Sequence, residues 1–149
     1  MRIYLDTSVI GGVFARVLLW IQYLCLNSLL REKPQLLFPI FLKQNYYRAP
    51  TKIRNYLSTL PKTQIEKVGL TAESRILADA YITEKVVGKT SLIDCQHIAI
   101  ATIVHADVLA SWNFKHIVNL ERIRGYNSIN LRKGYQLLEI RSPREIFAI

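Results

Sequence analysis

Short apolar runs alternate with longer amphipathic segments along the chain, and this alternation predicts the fold class. The runs with the length and the β-branched or aromatic content of strands are residues 2–5, 36–41, 65–70, 106–111 and 137–140. The second run has Pro39 in its middle, which argues against a central place in a sheet. Strands that alternate with helices predict a mostly parallel central sheet covered on both faces, a three-layer α/β/α fold.

The segments between these runs carry helical spacing. Residues 17–30 are strongly apolar, but a spanning helix needs about 20 such residues, and Gln22 interrupts this stretch. A buried core helix is therefore favoured, with a membrane segment as the minor alternative. The next helix has Pro50 in its first turn. Its apolar positions recur at helical spacing, at Ile53, Tyr56, Leu57 and Leu60.

Three later helices have recognisable start signals. A helix is predicted to begin at Thr71 and to close at Gly88, and its apolar stripe comprises Ile76, Leu77, Ala80 and Tyr81. Ser91 and Ser142 each stand three residues before an acid, which is the spacing of a capping box. The first of these boxes predicts an apolar helix from about residue 91 to 104, and the second predicts a short final helix.

Composition limits the class of protein. The chain has 149 residues, of which 50% are hydrophobic, so we expect a single domain over residues 1–149. Its formal charge of +9 favours a polyanionic partner, either nucleic acid or an acidic protein segment. Cys25 and Cys95 lack metal-ligand spacing, and the start of the chain lacks the pattern of a secretory signal. We therefore expect a reduced cytoplasmic protein.

Asp6 is the first candidate for chemistry. It stands just past the run at residues 2–5, and residues past the carboxyl ends of parallel strands face the ligand crevice of an open α/β sheet. The alternative is an ordinary turn or N-cap aspartate.

Two further polar residues are expected at the same edge of the sheet. Asp94 opens the helix that begins near Ser91, and Asn113 follows the strand at residues 106–111. Two carboxylates and an amide oxygen are the hard ligands that Mg²⁺ or Mn²⁺ takes. An acid in a first helical turn is also stabilised without any function, so a purely structural Asp94 stays open. Asp107, at the start of its strand, is expected to be structural.

Three motifs together resemble those of a known family. They are Tyr-Leu-Asp-Thr-Ser-Val-Ile at residues 4–10, Ser-Leu-Ile-Asp-Cys-Gln-His-Ile-Ala-Ile-Ala at 91–101, and Ala-Asp-Val-Leu-Ala-Ser-Trp-Asn-Phe-Lys-His-Ile-Val-Asn at 106–119. In this order and at this spacing they resemble a PIN domain, close to the VapC-type toxins of toxin-antitoxin systems. The resemblance covers roughly three quarters of the chain, namely residues 1–12 and 49–147.

The resemblance implies a PIN-like fold and a Mg²⁺- or Mn²⁺-dependent endoribonuclease. Asp6 and Asp94 match family acids, and Asn113 matches a position where many relatives carry Asp. A further Glu is normally present shortly before the Ala-Pro pair, where this chain has Gln44 or Asn45. The resemblance also implies RNA as substrate, a homodimer, and an antitoxin protein as partner.

The departure at Asn45 removes a negative charge from the expected cation site, which should lower metal affinity while an amide oxygen still provides a ligand. The surrounding residues 13–47 also diverge from the family pattern. One hypothesis is a pair of compensating frameshifts. Translation of the coding DNA in its other frames tests this hypothesis, which would be refuted if neither frame encoded an acidic helix that carries Glu.

Basic residues supply candidate RNA contacts. Lys43, Arg48, Lys52 and Arg54, with Lys62, are interleaved with tyrosines, so they suit either RNA binding or a solvated face. The same two interpretations apply to a second basic group, comprising Arg122, Arg124, Arg132 and Lys133. Trp112 and Phe114 are expected to pack around the site, with base stacking as the lesser alternative.

The sequence leaves three functions to compare. The first is RNA phosphodiester hydrolysis with Asp6 and Asp94 as metal ligands, Asn113 assisting and His97 orienting Asp94. The alternative is a catalytically impaired PIN-fold protein that binds RNA or an antitoxin-like partner without cleavage. An aspartyl phosphotransfer domain is weaker, because no second acid stands two residues after Asp6.

Overall fold

A five-stranded parallel sheet forms the centre of the molecule. The computed structural model describes residues 1–10, 34–40, 51, 55, 58, 59 and 61–146. The strands are β1 (Arg2–Leu5), β2 (Gln35–Pro39), β3 (Ile65–Val68), β4 (Val108–Ala110) and β5 (Glu139–Arg141). Their spatial order is β3-β2-β1-β4-β5, and every neighbouring pair is parallel. In this order β1 lies at the middle of the sheet, next to β4.

Helices follow the strands along the chain. They are α1 (Thr7–Ile10), α2 (Ala72–Thr83), α3 (Leu92–Ile103), α4 (Leu120–Arg132) and α5 (Pro143–Ile146), with 3-10 turns at Lys62–Gln64 and Lys89–Ser91. Thr51, Asn55, Ser58 and Thr59 are also helical and exposed, which agrees with the helix predicted around them. Its apolar positions and the apolar stretch at residues 17–30 lie outside the described residues.

Both faces of the sheet are buried, which confirms the predicted three-layer α/β/α fold. On one face Tyr4, Leu37 and Leu109 join a core that includes α2, α3 and α4. On the other face Ile3 and Leu36 are also fully buried. Because successive strand residues point to opposite faces, burial of both sets requires cover on both sides.

The prediction that Pro39 keeps its strand out of a central place in the sheet is wrong. β2 is not peripheral, because it lies between β1 and β3. Pro39 is tolerated there because the pairing of β2 with β1 ends at Leu37, so the missing N–H leaves no bond to β1 unmade. On the other side, the N–H of Ile40 donates to the carbonyl of Val68 at 2.8 Å.

The start of α2 is confirmed and its predicted buried stripe is partly wrong. Thr71 caps the helix in a reciprocal bond with Ser74. Leu77 and Tyr81 are buried, but Ile76 is 66% exposed. The helix ends at Thr83, five residues before the predicted stop at Gly88, which instead precedes the next 3-10 turn.

A buried polar network joins the three long helices. The Tyr81 hydroxyl on α2 donates to Asn130 Oδ1 on α4 at 2.5 Å. The Asn130 amide in turn donates to the Thr102 hydroxyl on α3 at 3.2 Å. α4 was absent from the sequence prediction, which noted only its basic residues. The bonds between these buried groups fix the three helices relative to one another.

Two structural roles predicted for acids are confirmed. Asp107 accepts the N–H of Arg2 at 2.6 Å, so it ties β4 to the start of β1. Glu145 accepts the N–H and the hydroxyl of Ser142, both at 2.7 Å, which forms one half of the predicted capping box of α5. The N–H of Glu145 donates to the Ser142 carbonyl instead of the hydroxyl. The two bonds that Glu145 accepts also lower its pKa. In contrast, the Ser91 side chain makes no cap bond, so the box predicted for α3 is wrong.

The thiol of Cys95 lies in the core. It is fully buried, and burial raises its pKa to about 12. A thiol of this kind is an inert packing group. Among the described residues, no helix has the length and apolar character that crossing a bilayer requires.

Close packing of α4 on the α2–α3 connection gives a testable prediction. A Cβ built on Gly125 would stand 2.7 Å from Cγ1 of Val86. The overlap should cost about 1–3 kcal/mol, against about 1 kcal/mol gained by replacing a helical glycine with alanine. We therefore expect Gly125→Ala to destabilise the protein by up to about 2 kcal/mol, measured by urea unfolding.

Removing the clash provides the control for this prediction. In a Val86→Ala background the γ carbons are absent, so adding Gly125→Ala should cost nothing further or stabilise the helix. A single Gly125→Ala variant more stable than the parent would contradict the packing described here.

Candidate active site

Asp6 is held by side chains from three elements at the carboxyl ends of β1 and β4. Its Oδ2 accepts the hydroxyls of Ser8 at 2.6 Å and Ser111 at 2.7 Å. Its Oδ1 accepts the Thr7 hydroxyl at 3.2 Å and stands 3.2 Å from His97 Nε2. Asp6 is only 3% exposed. A buried carboxylate without such donors would be strongly unfavourable, so these contacts keep it in place.

Backbone amides fix the direction of the two serine hydroxyls. The N–H of Trp112 donates to Ser8 Oγ, and the N–H of Asn113 donates to Ser111 Oγ, each at 3.0 Å. A hydroxyl that accepts from an amide retains its proton for another acceptor. Both protons are therefore directed at Asp6, which orients its carboxylate.

His97 supports Asp6 from within the core. Its Nδ1 lies 2.8 Å from the Tyr4 hydroxyl, and its Nε2 faces Asp6. Burial lowers the pKa of His97, with the Asp6 charge acting in the opposite direction. Burial, followed by Asp6, raises the pKa of Tyr4. Tyr4 therefore keeps its proton and donates to Nδ1, and neutral His97 donates from Nε2 to Asp6.

This contact corrects the predicted role of His97. The sequence suggested that His97 orients Asp94, which lies one turn earlier on α3. The imidazole instead points inward, to Tyr4 and Asp6, because it is 1% exposed within the core face of the helix. His97 thus positions the first acid of the site.

Asp94 and Asn113 meet as predicted, with Asn113 in an unexpected orientation. Its Nδ2 donates to Asp94 Oδ1 at 3.0 Å. Its Oδ1 accepts the N–H of His116 at 3.1 Å, which determines the direction of the amide. In this conformation Asn113 presents a nitrogen to the acids, so it positions Asp94 and does not offer an oxygen to a cation.

The electrostatics of Asp94 connect it to Asp6. Burial raises the pKa of Asp94, and the Asp6 charge raises it further, while His116 and the Asn113 bond oppose these effects. Asp6 and Asp94 are therefore gathered where β1, α3 and β4 meet. We call Asp6, Asp94 and Asn113 the acidic edge.

The donor set of the acidic edge fits a hard divalent cation in part. Magnesium commonly binds through one or two carboxylates and keeps several waters. Asp94 is half-buried, and among the described residues only its Oδ1 has a hydrogen-bond partner, so it would offer the more accessible ligand. Within the described ranges no three His, Cys, Asp or Glu side chains form a metal-holding group. The carboxylates of Asp6 and Asp94 are thus the groups of this part of the chain that could hold such a cation.

Several predicted site residues fall outside the described part of the chain. These are Lys43, Gln44, Asn45, Arg48, Lys52 and Arg54. Their predicted roles, as a weak metal ligand for Asn45 and as RNA contacts for the basic residues, stay predictions.

The aromatic residues beside Asn113 differ in exposure. Trp112 is half-buried, with the Arg144 guanidinium 5.9 Å from its ring centre. Phe114 is 56% exposed, and its ring packs against Trp112 with the ring centroids 6.3 Å apart. Two arginines of the second basic group have different partners. Arg132 forms an ion pair with Glu84, whereas Arg122 donates to the Val86 carbonyl.

Sequence reasoning missed the side chains that hold Asp6. Thr7, Ser8 and Ser111 had a usable signal, because hydroxyl residues directly follow both strands whose carboxyl ends meet. Tyr4 gave no signal, since an aromatic residue in a strand normally packs in the core. His116 was also missed; its Nδ1 is buried, and no described residue hydrogen-bonds it.

Among known proteins, no family model, curated protein or solved structure matches the chain.

Proposed function

We propose that the chain is a PIN-like, Mg²⁺- or Mn²⁺-dependent endoribonuclease that hydrolyses RNA at the acidic edge. The observation that carries this proposal is that Asp6 and Asp94 gather where β1, α3 and β4 meet, where burial and then the charge on Asp6 raise the pKa of Asp94. Acids gathered in this way favour a cation between or beside them. The resemblance to VapC-type toxins, stated above from the three motifs, gives the same reaction.

Each residue of the acidic edge has its own task in this proposal. Asp94 and Asp6 bind the cation, and Asn113 keeps Asp94 in place through its amide nitrogen. Ser8, Ser111 and His97 hold Asp6. When bound, the cation would supply Lewis-acid activation of water and neutralise charge that builds on the phosphate.

Charge and partners fit RNA as the substrate. A formal charge of +9 attracts a polyanion, and it acts over a longer range than any single contact. We extend the proposal to a cytoplasmic homodimer controlled by an antitoxin-like protein, as the resemblance implies. An acidic segment in that partner would complement the same charge.

A specific observation favours a second function. Asp6 already has hydroxyl or imidazole neighbours at both oxygens, and Asn113 directs nitrogen to the site. A chain with these features, and with Asn45 where the resemblance expects Glu, would bind RNA or an antitoxin-like partner without cleaving it.

One assay separates these two functions. Purified protein is incubated with a structured RNA in Mg²⁺ or Mn²⁺, in parallel with EDTA, and products are resolved on a denaturing gel. We expect cleavage that depends on the divalent ion. RNA binding in a gel shift, with no cleavage in either ion, would refute the nuclease and support the non-cleaving alternative.

A further inference from the structure

A groove with basic walls lies on the flank of the molecule, outside the acidic edge. Its volume is about 470 Å³, and it forms between the end of α2, the connection to α3 and the start of α4. Lys85, Lys89 and Arg122 line it, and Ile82 and Val87 form an apolar floor. We call it the basic groove. Among described residues, its lining includes no acid, so its charge attracts anions.

Two acids adjoin the groove cations in sequence, and neither is in the groove lining: Glu84 precedes Lys85, and Glu121 precedes Arg122. Glu84 is paired with Arg132. A guanidinium N–H of Arg122 donates to the Val86 carbonyl, and this bond holds the arginine side chain against the α2–α3 connection. The planar guanidinium has further N–H donors that this bond does not use. The groove therefore combines a positioned arginine with two lysines, a set that suits phosphate oxygens.

The backbone at Lys85 is in a conformation that normally favours glycine. Its φ is 60°, in the left-handed region, just after the end of α2. His105, just after α3, has the same conformation with a φ of 54°. The ends of α2 and α3 thus share this backbone conformation, and they differ in the side chain that occupies it, Lys85 after α2 and His105 after α3. Lys85 therefore places a cation at the groove, although its backbone conformation is one in which glycine is favoured.

The basic groove is connected to the acidic edge by short ordered segments. The 3-10 turn Lys89–Ser91 leads directly into α3, whose first turn carries Asp94. Ahead of α4, the N–H of Val118 donates to the Asn113 carbonyl at 2.8 Å. The segments that carry Asp94 and Asn113 are therefore each continuous with an element that lines the groove.

We propose that the basic groove binds the phosphate backbone of an RNA strand, with Lys85, Lys89 and Arg122 contacting phosphates. The apolar floor of Ile82 and Val87 receives the sugar or base between those phosphates. This site rests on the proposed function for its choice of RNA over other polyanions. It adds a contact away from the reacting bond, whose effect is on binding and not on chemistry.

The chain offers a variant that removes a cation without weakening the fold. Lys85→Gly relieves the left-handed backbone while deleting the side chain. We compare the parent with Lys85→Gly and with Lys85→Gly/Lys89→Gln, and use His105→Gly as the matched control. Binding of a fluorescent single-stranded RNA is measured by anisotropy in EDTA, so that cleavage plays no part, over a series of salt concentrations.

We expect the double variant to bind the RNA about 10-fold more weakly than the parent. The slope of log K against log salt should become shallower by about 0.7 for each phosphate that the variant no longer neutralises. His105→Gly should bind like the parent, although both glycine variants relieve the same backbone conformation. Both glycine variants should keep or raise the melting temperature, which separates weaker binding from impaired folding.

Parental affinity and an unchanged salt slope in the double variant would overturn the proposal. It would also be overturned if the variant kept its RNA affinity but bound a poly-glutamate peptide more weakly, since the groove would then fit an acidic protein. The result is independent of catalysis. Groove-dependent RNA binding by a parent protein that cleaves nothing would support the groove while refuting the nuclease.

Discussion

Asp94→Asn should reduce RNA cleavage by roughly 100-fold or more without destabilising the protein. The substitution removes the more accessible carboxylate of the acidic edge and keeps the oxygen that accepts from Asn113 Nδ2. It also removes the charge that burial and Asp6 disfavour. We therefore expect the variant to be at least as stable as the parent at neutral pH.

The pH dependence of this stability difference has a defined sign. The pKa of Asp94 is raised in the folded protein above its ordinary value of 3.8. Ionised Asp94 therefore weakens the folded state at neutral pH, and protonation removes the penalty as pH falls through the raised pKa. The advantage of Asp94→Asn should shrink over that range and be absent below the ordinary value.

Cleavage rates and urea unfolding at several pH values provide the measurements for Asp94. Asp107→Asn is the matched control, because Asp107 lies at the opposite end of β4 and asparagine can still accept the Arg2 N–H. The control should cleave like the parent. Undiminished cleavage by Asp94→Asn would refute the role of Asp94, and a strong loss of stability would refute the electrostatic account.

Asp6→Ala should destabilise the protein by about 2–4 kcal/mol, the largest effect on stability that we expect from an acid. The change leaves the protons of Ser8 and Ser111 and the Nε2 of His97 without their buried acceptor. Buried donors that lose a charged acceptor carry a desolvation cost, and only the longer Ser8–Ser111 and Thr7–His97 contacts, each at 3.3 Å, remain to reduce it. Cleavage should also be lost, because the first ligand of the site is removed.

The stability effect is measured by urea unfolding at neutral pH. Asp107→Ala, at an exposed position with one backbone bond, is the control and should cost less than about 1.5 kcal/mol. In addition, Asp6→Asn should be less damaging than Asp6→Ala, since one oxygen acceptor remains. Equal stabilities for Asp6→Ala and the parent would show that the hydroxyl and imidazole contacts contribute nothing.

The sheet and the meeting of the acids could be predicted because both follow from general rules. Strand runs are visible in the pattern of apolar residues, and parallel strands bring their carboxyl ends to one edge. That rule is sufficient to place Asp6 and Asn113 together, since β1 and β4 are neighbours. Asp94 joins them because α3 begins at the same edge.

Other features depend on tertiary contacts. α4 itself has the local signals of a helix, an Asn119 cap and apolar residues at every third position, but the burial of its polar Asn130 depends on partners from α2 and α3. Ile76 is apolar but faces outward, because the turn of α2 that meets the core is set by Leu77 and Tyr81. The direction of the Asn113 amide depends on the backbone of His116, which composition does not indicate.

Binding of Mn²⁺ to the acidic edge tests the central claim most directly. Electron paramagnetic resonance reports free Mn²⁺, so a titration compares the parent with Asp94→Asn and Asp107→Asn in the absence of RNA. We predict that Asp94→Asn weakens Mn²⁺ binding by about 10-fold or more, whereas Asp107→Asn binds like the parent. Equal Mn²⁺ affinity in the parent and Asp94→Asn would contradict the assignment of the cation to Asp6 and Asp94.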